Sequence, residues 1–315
     1  MRLRHLYSFK LRPREPYNFK LTASCYNFKW WFNGEKCILP LSGDPPLMAI
    51  AKEIEGEISV EVYGLGNADV EREVKWMLGV DEDLTGFYEV IANDAILREV
   101  PRTLRGMRLR STSLWQALLI AICQQNASFA QGWSMLCRLY KLFGVEVEIN
   151  GVKSLIPPSP NAFLRGDAEA KLKSARVGYR AETIIKAAVA ASQGALDDLA
   201  KLKSQDAEAK LKEIKGIGSY TARLALVLAH RRYELLPLDR WLKSLAKEVY
   251  KLNNVEEELK RMWGNWCGLA MFFTTVVLDA DVLSIALKRA LSGDVSPRAQ
   301  PSRPTPLTLW MHEIC

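Results

Sequence analysis

The chain has 315 residues, 49% hydrophobic and 25% charged, and its 43 Lys and Arg against 36 Asp and Glu leave a net charge of +7. These values are ordinary for a soluble globular protein with room for two sizeable cores, and the basic balance suits a polyanionic partner. The longest apolar stretches, near Leu114 to Cys123 and Leu269 to Leu278, are too short to cross a bilayer, and no apolar segment follows Met1.

Taken in order, the first 30 residues are one-sided: Arg2, Arg4, Lys10, Arg12, Arg14, Lys20 and Lys29 face only Glu15. They form either a strip facing a polyanion or a solvated surface. Up to about residue 100 the text is one of short aromatic or alternating stretches. Tyr17 to Phe32, Cys37 to Leu41 and Ile58 to Tyr63 read as strands, broken at Asn33-Gly34, Gly43 to Pro46 and Gly64 to Gly66. A helix is expected near Ala68 to Met77. The repeated string Tyr-Asn-Phe-Lys, at 17–20 and 26–29, fits two strands sharing one alternating pattern.

From Leu104 to about Leu291 the periodicity is helical, apart from a loop around Pro157, Pro158 and Pro160. DAEAKLK occurs at 167–173 and again at 206–212, ahead of two glycine-containing turns, and good helix formers account for it. The tail from Ser292, with four prolines, reads as an irregular extension whose Leu307 to Met311 could dock on the body. The fold class is therefore α+β, an antiparallel β-rich N-terminal domain (1–103) followed by an all-helical core (104–291) and a C-terminal extension (292–315). Six cysteines contain no C-x-x-C pair and no close quartet, and the three histidines are scattered. Neither zinc nor an iron–sulfur cluster is implied.

The most informative stretch runs from Leu211 to Arg223, LKEIKGIGSYTAR. Leu211 and Ile214 share one helical face, Gly216 and Gly218 suit positive φ or close backbone approach, and Ile217 between them can plug the turn into the core. Ser219 reads as the N-cap of a second helix. Its first N–H groups would carry the positive end of the helix dipole, so the hairpin is a candidate backbone clamp for phosphate. Lys212 and Lys215 add positive charge. An apolar run follows, then Leu236, Pro237, Leu238 and Asp239, which lies 19 residues after Tyr220. Asp239 also reads as an N-cap, for a helix starting near Arg240.

This composite resembles the helix-hairpin-helix DNA glycosylases, whose hairpin G-[IV]-G-x-x-[TV]-A precedes a catalytic aspartate. Gly178-Tyr179-Arg180-Ala181 resembles the G-[YF]-R-A segment of the 8-oxoguanine and alkylpurine branches. Cys123-Gln124-Gln125-Asn126 resembles the end of a core helix and the turn after it. The matches span residues 104 to 280, and the missing cysteine quartet points away from the iron–sulfur branch.

The resemblance implies double-stranded DNA with a damaged base as the partner, and a monomeric, cytoplasmic or nucleoid-associated (nuclear if eukaryotic) enzyme of base excision repair. Asp239 would stabilise the positive charge that grows on the sugar and orient water. Tyr220 stands where strand-cutting members place a lysine, and a phenol forms no imine, so hydrolysis by a monofunctional enzyme is expected. Gly216, Gly218, Lys215, Ser219 and Asn126 would contact DNA, Asn126 near the gap left by the flipped base. No organic cofactor is implied. The backbone carbonyls of Lys212, Ile214 and Ile217 would hold a monovalent cation, K+ or Na+. Trp241, Trp266, Met271 and Phe272 would build the base pocket.

Two departures bear on the substrate. Cys25, in Cys25-Tyr26-Asn27-Phe28-Lys29-Trp30, replaces the glycine whose carbonyl reads 8-oxoguanine, and Gly268 replaces a glutamine of that branch. Alkylated purines are favoured, through stacking and cation–π attraction; 8-oxoguanine, mismatched or deaminated bases, a lyase using another lysine, and a non-catalytic DNA-binding relative are the alternatives.

Overall fold

The computed structural model describes residues 1–65 and 69–315. Four antiparallel strands, β1 (Arg4–Leu11), β2 (Lys36–Gly43), β3 (Pro46–Ile54) and β4 (Glu57–Gly64), form a sheet in the order β1-β4-β3-β2. Both faces are covered, because residues two apart along a strand point the same way. Cys37 and Leu39, Ala49 and Ala51, and Ile58, Val60 and Val62 meet the helices Phe19–Ser24 and Glu71–Leu78 in one core. Ile38, Met48 and Ile50 point the other way and join the core of the helical body. That second core is continuous across residue 103.

The stretch from Tyr17 to Phe32 is not strand. Phe19–Ser24 is a helix, capped by Asn18, whose side chain accepts the Leu21 N–H at 2.9 Å. Asn27 is fully buried and spends its amide on the Ala23 carbonyl and the Phe28 N–H. The two Tyr-Asn-Phe-Lys strings thus share asparagines that bond the local backbone, which draws the chain out of extended geometry. β1 and β3 went unread in the sequence, the first hidden in the basic run. The expected helix runs Glu71–Leu78; Ala68, its expected start, and Gly66, the end of the expected Gly64 to Gly66 turn, lie outside the described residues.

The helical body is built around the buried helix Leu114–Gln124, which packs against Phe129–Phe143, Arg180–Ser192 and Ser219–His230. Ser113 caps it by accepting the Gln116 N–H. Between residues 104 and 291 the chain is not wholly helical, since β5 (Val145–Ile149) and β6 (Val152–Ile156) form an antiparallel hairpin. Its turn, Asn150-Gly151, places both residues at positive φ, the pair a tight two-residue hairpin asks for. No helix of the described residues is long and apolar enough to cross a membrane.

The tail docks. Leu307 and Leu309 are buried, Trp310 packs edge-on against Phe32, and the Pro306 carbonyl accepts the Tyr26 N–H at 2.7 Å. Cys315 is disulfide-bonded to Cys137 on helix Phe129–Phe143. Several basic residues of the N-terminal run are paired: Lys10 and Arg12 with Glu57, Arg14 with Asp83 and Lys29 with Glu313.

Candidate active site and nucleic-acid interface

Helix Ser204–Lys212, the turn after it and helix Ser219–His230 form the hairpin. Leu211 and Ile217 are buried and Ile214 is half-buried, so one apolar face anchors it. Gly216 has φ +99, and a Cβ there would lie 2.1 Å from Thr183 Oγ1. Gly216 therefore has both a conformational and a steric reason. Gly218 has neither: it is the N-cap, at φ −96, and nothing lies within 4 Å of its missing Cβ. Ser219 is the first helical residue and caps nothing, because the extended Gly218 already turns its carbonyl onto the Ala222 N–H at 3.0 Å. The open space at Gly218 leaves the helix N-terminus uncovered, where unpaired N–H groups and the dipole attract an anion.

Around this end the carbonyl of Ile214 accepts the Ile217 N–H at 3.0 Å. Lys212 is exposed, and Lys215, 80% exposed in its side chain, sits 3.7 Å from Glu182. Gln125 bridges to the hairpin, donating through Nε2 to the Gly216 carbonyl (3.0 Å) and to Thr221 Oγ1 (2.8 Å). The next residue, Asn126, is exposed in the left-handed region at φ 46, with its amide 3.3 Å from the Tyr179 hydroxyl. Tyr179 is itself exposed and lies under the Arg180 guanidinium, 4.6 Å from its ring centre.

Asp239 is the N-cap of helix Arg240–Tyr250, its Oδ1 accepting the Leu242 N–H at 2.7 Å. Burial raises its pKa above the usual carboxylate range, and backbone N–H donors hold it down in part. Tyr220 is close enough for the Asp239 charge to add to burial in pushing its phenol up. Both line a pocket of about 420 Å³.

Cys25, Trp241, Met271 and Phe272 line that pocket too, but Trp266 does not. Trp266 packs against Phe87 and Tyr233, with ring centres 5.8 and 6.0 Å apart, and belongs to the core behind helix Cys267–Val277. Trp241 is held by its indole N–H on the Asp281 carbonyl at 3.0 Å. The Cys25 thiol is pushed up by burial and stays neutral.

Several lining residues were missed in the sequence. Phe129, Trp133, Leu136 and Tyr140 project from one face of helix Phe129–Phe143, and their spacing of three and four is the signal that could have found them. Tyr26 is at the centre: it stacks on Trp133 (5.3 Å), contacts Phe129 and Phe272, and hydrogen-bonds the Thr275 hydroxyl. Arg110 also lines the pocket, and Asp281, which does so as well, is committed to Arg289 and Arg303.

The hairpin thus leaves a helix N-terminus open, with an exposed turn beside it and an aromatic pocket that holds a half-buried carboxylate. No family model matches the chain. It is 28% identical over 210 residues to the DNA-3-methyladenine glycosylase of Bacillus subtilis, covering 63% of this chain and 69% of the relative. It superposes on the 3-methyladenine DNA glycosylase of Archaeoglobus fulgidus with a TM-score of 0.69 at 21% identity, over 91% of this chain and 99% of that one. The Clostridium acetobutylicum 8-oxoguanine glycosylase/lyase, in complex with double-stranded DNA containing cytosine opposite 8-oxoguanine, superposes with a TM-score of 0.68 at 15% identity, covering 92% and 98%. Relatives by sequence and neighbours by fold are thus DNA glycosylases, in agreement with the helix-hairpin-helix superfamily, and the chain has their fold.

Proposed function

We propose that the chain is a DNA N-glycosylase of base excision repair that flips a damaged purine into the pocket and hydrolyses its glycosidic bond. The observation that carries this reading is the joining of Asp239 to an aromatic cavity large enough for one base. As the C1′–N bond breaks, the Asp239 carboxylate stabilises the cationic sugar. It also orients the water whose oxygen bonds to C1′ and accepts that water's proton, while the base leaves with the electron pair of the broken bond and takes a proton from solvent. The aromatic lining favours purines, whose larger rings stack over more area. Alkylated and deaminated purines both fit that lining, and the polar groups among the lining residues distinguish them.

The phosphate backbone is held without sequence preference by the hairpin: the N–H groups after Gly218, Lys215, and a monovalent cation on the carbonyls of Lys212, Ile214 and Ile217. Asn126 enters the gap left by the base. With Tyr220 in place of a lysine, the product is an intact strand carrying an abasic site.

Duplexes that each carry one lesion test the reading. Release of free base by the wild type, with no covalent species trapped by borohydride, is the expected result. Trapping would make the enzyme a lyase, and release from no lesion would leave a DNA-binding relative without chemistry.

A further inference from the structure

The pocket lining includes a cation that no acid of the described residues pairs with. Arg110 donates through Nη2 to the carbonyls of Cys25 (3.3 Å) and Tyr26 (3.4 Å). It makes no ion pair among the described residues, its Nη1 has no protein partner there, and its buried Nε has no acceptor. Its charge acts on the Cys25 and Cys37 thiols and the Tyr140 phenol, which burial raises and keeps neutral. Its hydrogen bonds fix the guanidinium against the backbone of Cys25 and Tyr26, whereas Asp239 is the cap of helix Arg240–Tyr250. Ser111, the next residue, also lines the pocket and keeps a buried hydroxyl without a partner.

We propose that Arg110 determines specificity, selecting a neutral purine that presents a carbonyl oxygen to its guanidinium and opposing a base that carries positive charge. This rests on the glycosylase reading and orders the lesions within it. A guanidinium has donors and no acceptor, so a ring carbonyl completes it, while an exocyclic amino group sets donor against donor. Leaving those donors unpaired against the wrong base is the costly outcome, and it is the kind of difference from which selectivity is built. A permanently cationic ring placed against the guanidinium meets a like charge. The attraction of aromatic faces for cations, which favours charged alkylpurines, is therefore offset. Deaminated purine, neutral and with its oxygen on the six-membered ring, meets every condition.

The test compares single-turnover release of hypoxanthine (neutral, carbonyl) and 7-methylguanine (cationic, carbonyl) by the wild type, Arg110→Met and Arg110→Lys. In Arg110→Met, hypoxanthine release falls and 7-methylguanine release holds or rises, moving their ratio by roughly tenfold or more. Arg110→Lys keeps the charge and not the fork, so it still discriminates against 7-methylguanine while losing part of its hypoxanthine rate. Should the methionine variant fail to fold, shown by a lost thermal transition, the lysine variant carries the comparison. An unchanged ratio in the folded variants, or equal loss of both activities, overturns the proposal and leaves Arg110 a structural residue. A wild type that releases neither base removes the glycosylase reading and the proposal together.

Discussion

Gln125 donates to the carbonyl of Gly216 at 3.0 Å, so the turn that carries Asn126 and the turn of the hairpin are fixed to each other. The bond joins residues 91 apart in sequence and ties two surfaces that both face DNA in the proposed complex. Gln125→Ala removes this bond and the one to Thr221. A stability loss of about 1–2 kcal/mol is expected, with the Gly216 carbonyl left to water. Affinity for undamaged duplex should drop along with base release, measured by anisotropy titration and single-turnover kinetics.

Asp239→Asn keeps an acceptor for the Leu242 N–H and removes the charge. Base release should slow by at least ~2.7–4 kcal/mol of barrier, while binding to a lesion duplex persists. Burial holds the folded pKa of Asp239 above the ordinary aspartate value of 3.8. An acid raised in the folded state binds its proton more tightly there than in the unfolded chain, so its ionisation weakens folding as pH rises through that interval. The asparagine variant should accordingly melt at or above the wild-type temperature at pH 7. The advantage disappears in acid. Wild-type activity needs the ionised form and should fall as pH drops through an apparent pKa above 3.8.

The two hairpin glycines should respond differently. Gly216→Ala drives a methyl into Thr183 and holds a non-glycine residue at φ +99, a cost of about 1–3 kcal/mol in stability. Gly218→Ala meets no neighbour and keeps an ordinary φ, so the melting temperature should barely change. Its methyl instead occupies the open approach to the helix N-terminus. Binding should weaken for every duplex alike, since backbone contacts to phosphate carry no base information. Loss confined to one lesion would show that the hairpin reads the base.

Tyr220→Lys puts an amine beside Asp239 in the pocket. Burial favours the neutral amine that attacks C1′, while the carboxylate favours the charged form. Lys215 gives no help, being exposed and turned to Glu182. Weak strand cleavage, with a small fraction trapped by borohydride, is the expected outcome. An inactive, folded variant would show that placement of the amine outweighs its identity.

The parts of the site legible in the sequence are those whose reason is local. Gly216, Ile217 and the cap at Asp239 follow from turn and helix-end chemistry within a few residues of each. The errors have local causes too: Asn18 and Asn27 bond the nearby backbone, and Asn150-Gly151 is a hairpin signal passed over inside a helical region. Trp266 is a different case. Whether an aromatic on helix-flanking turn 264–266 faces the pocket or the core depends on how Phe87 and Tyr233 pack behind it, and no spacing encodes that. Arg110 was invisible for the same reason, since its meaning lies in the absence of an acid partner in space.

The bond between Cys137 and Cys315 makes the chain a loop rather than a line over 178 residues, and the hairpin, Asp239 and Trp241 all lie on that loop. The sheet lies outside it. A single backbone cut anywhere between the two cysteines opens the loop without releasing a fragment, so the pieces migrate as one until the sulfurs are reduced. A cut between Tyr26 and Cys137 frees a segment that nothing covalent retains, although Cys25 and Tyr26 of that segment line the pocket. Proteolysis of the two halves therefore leaves different molecules: one nicked but still joined, the other able to lose a wall of its binding site.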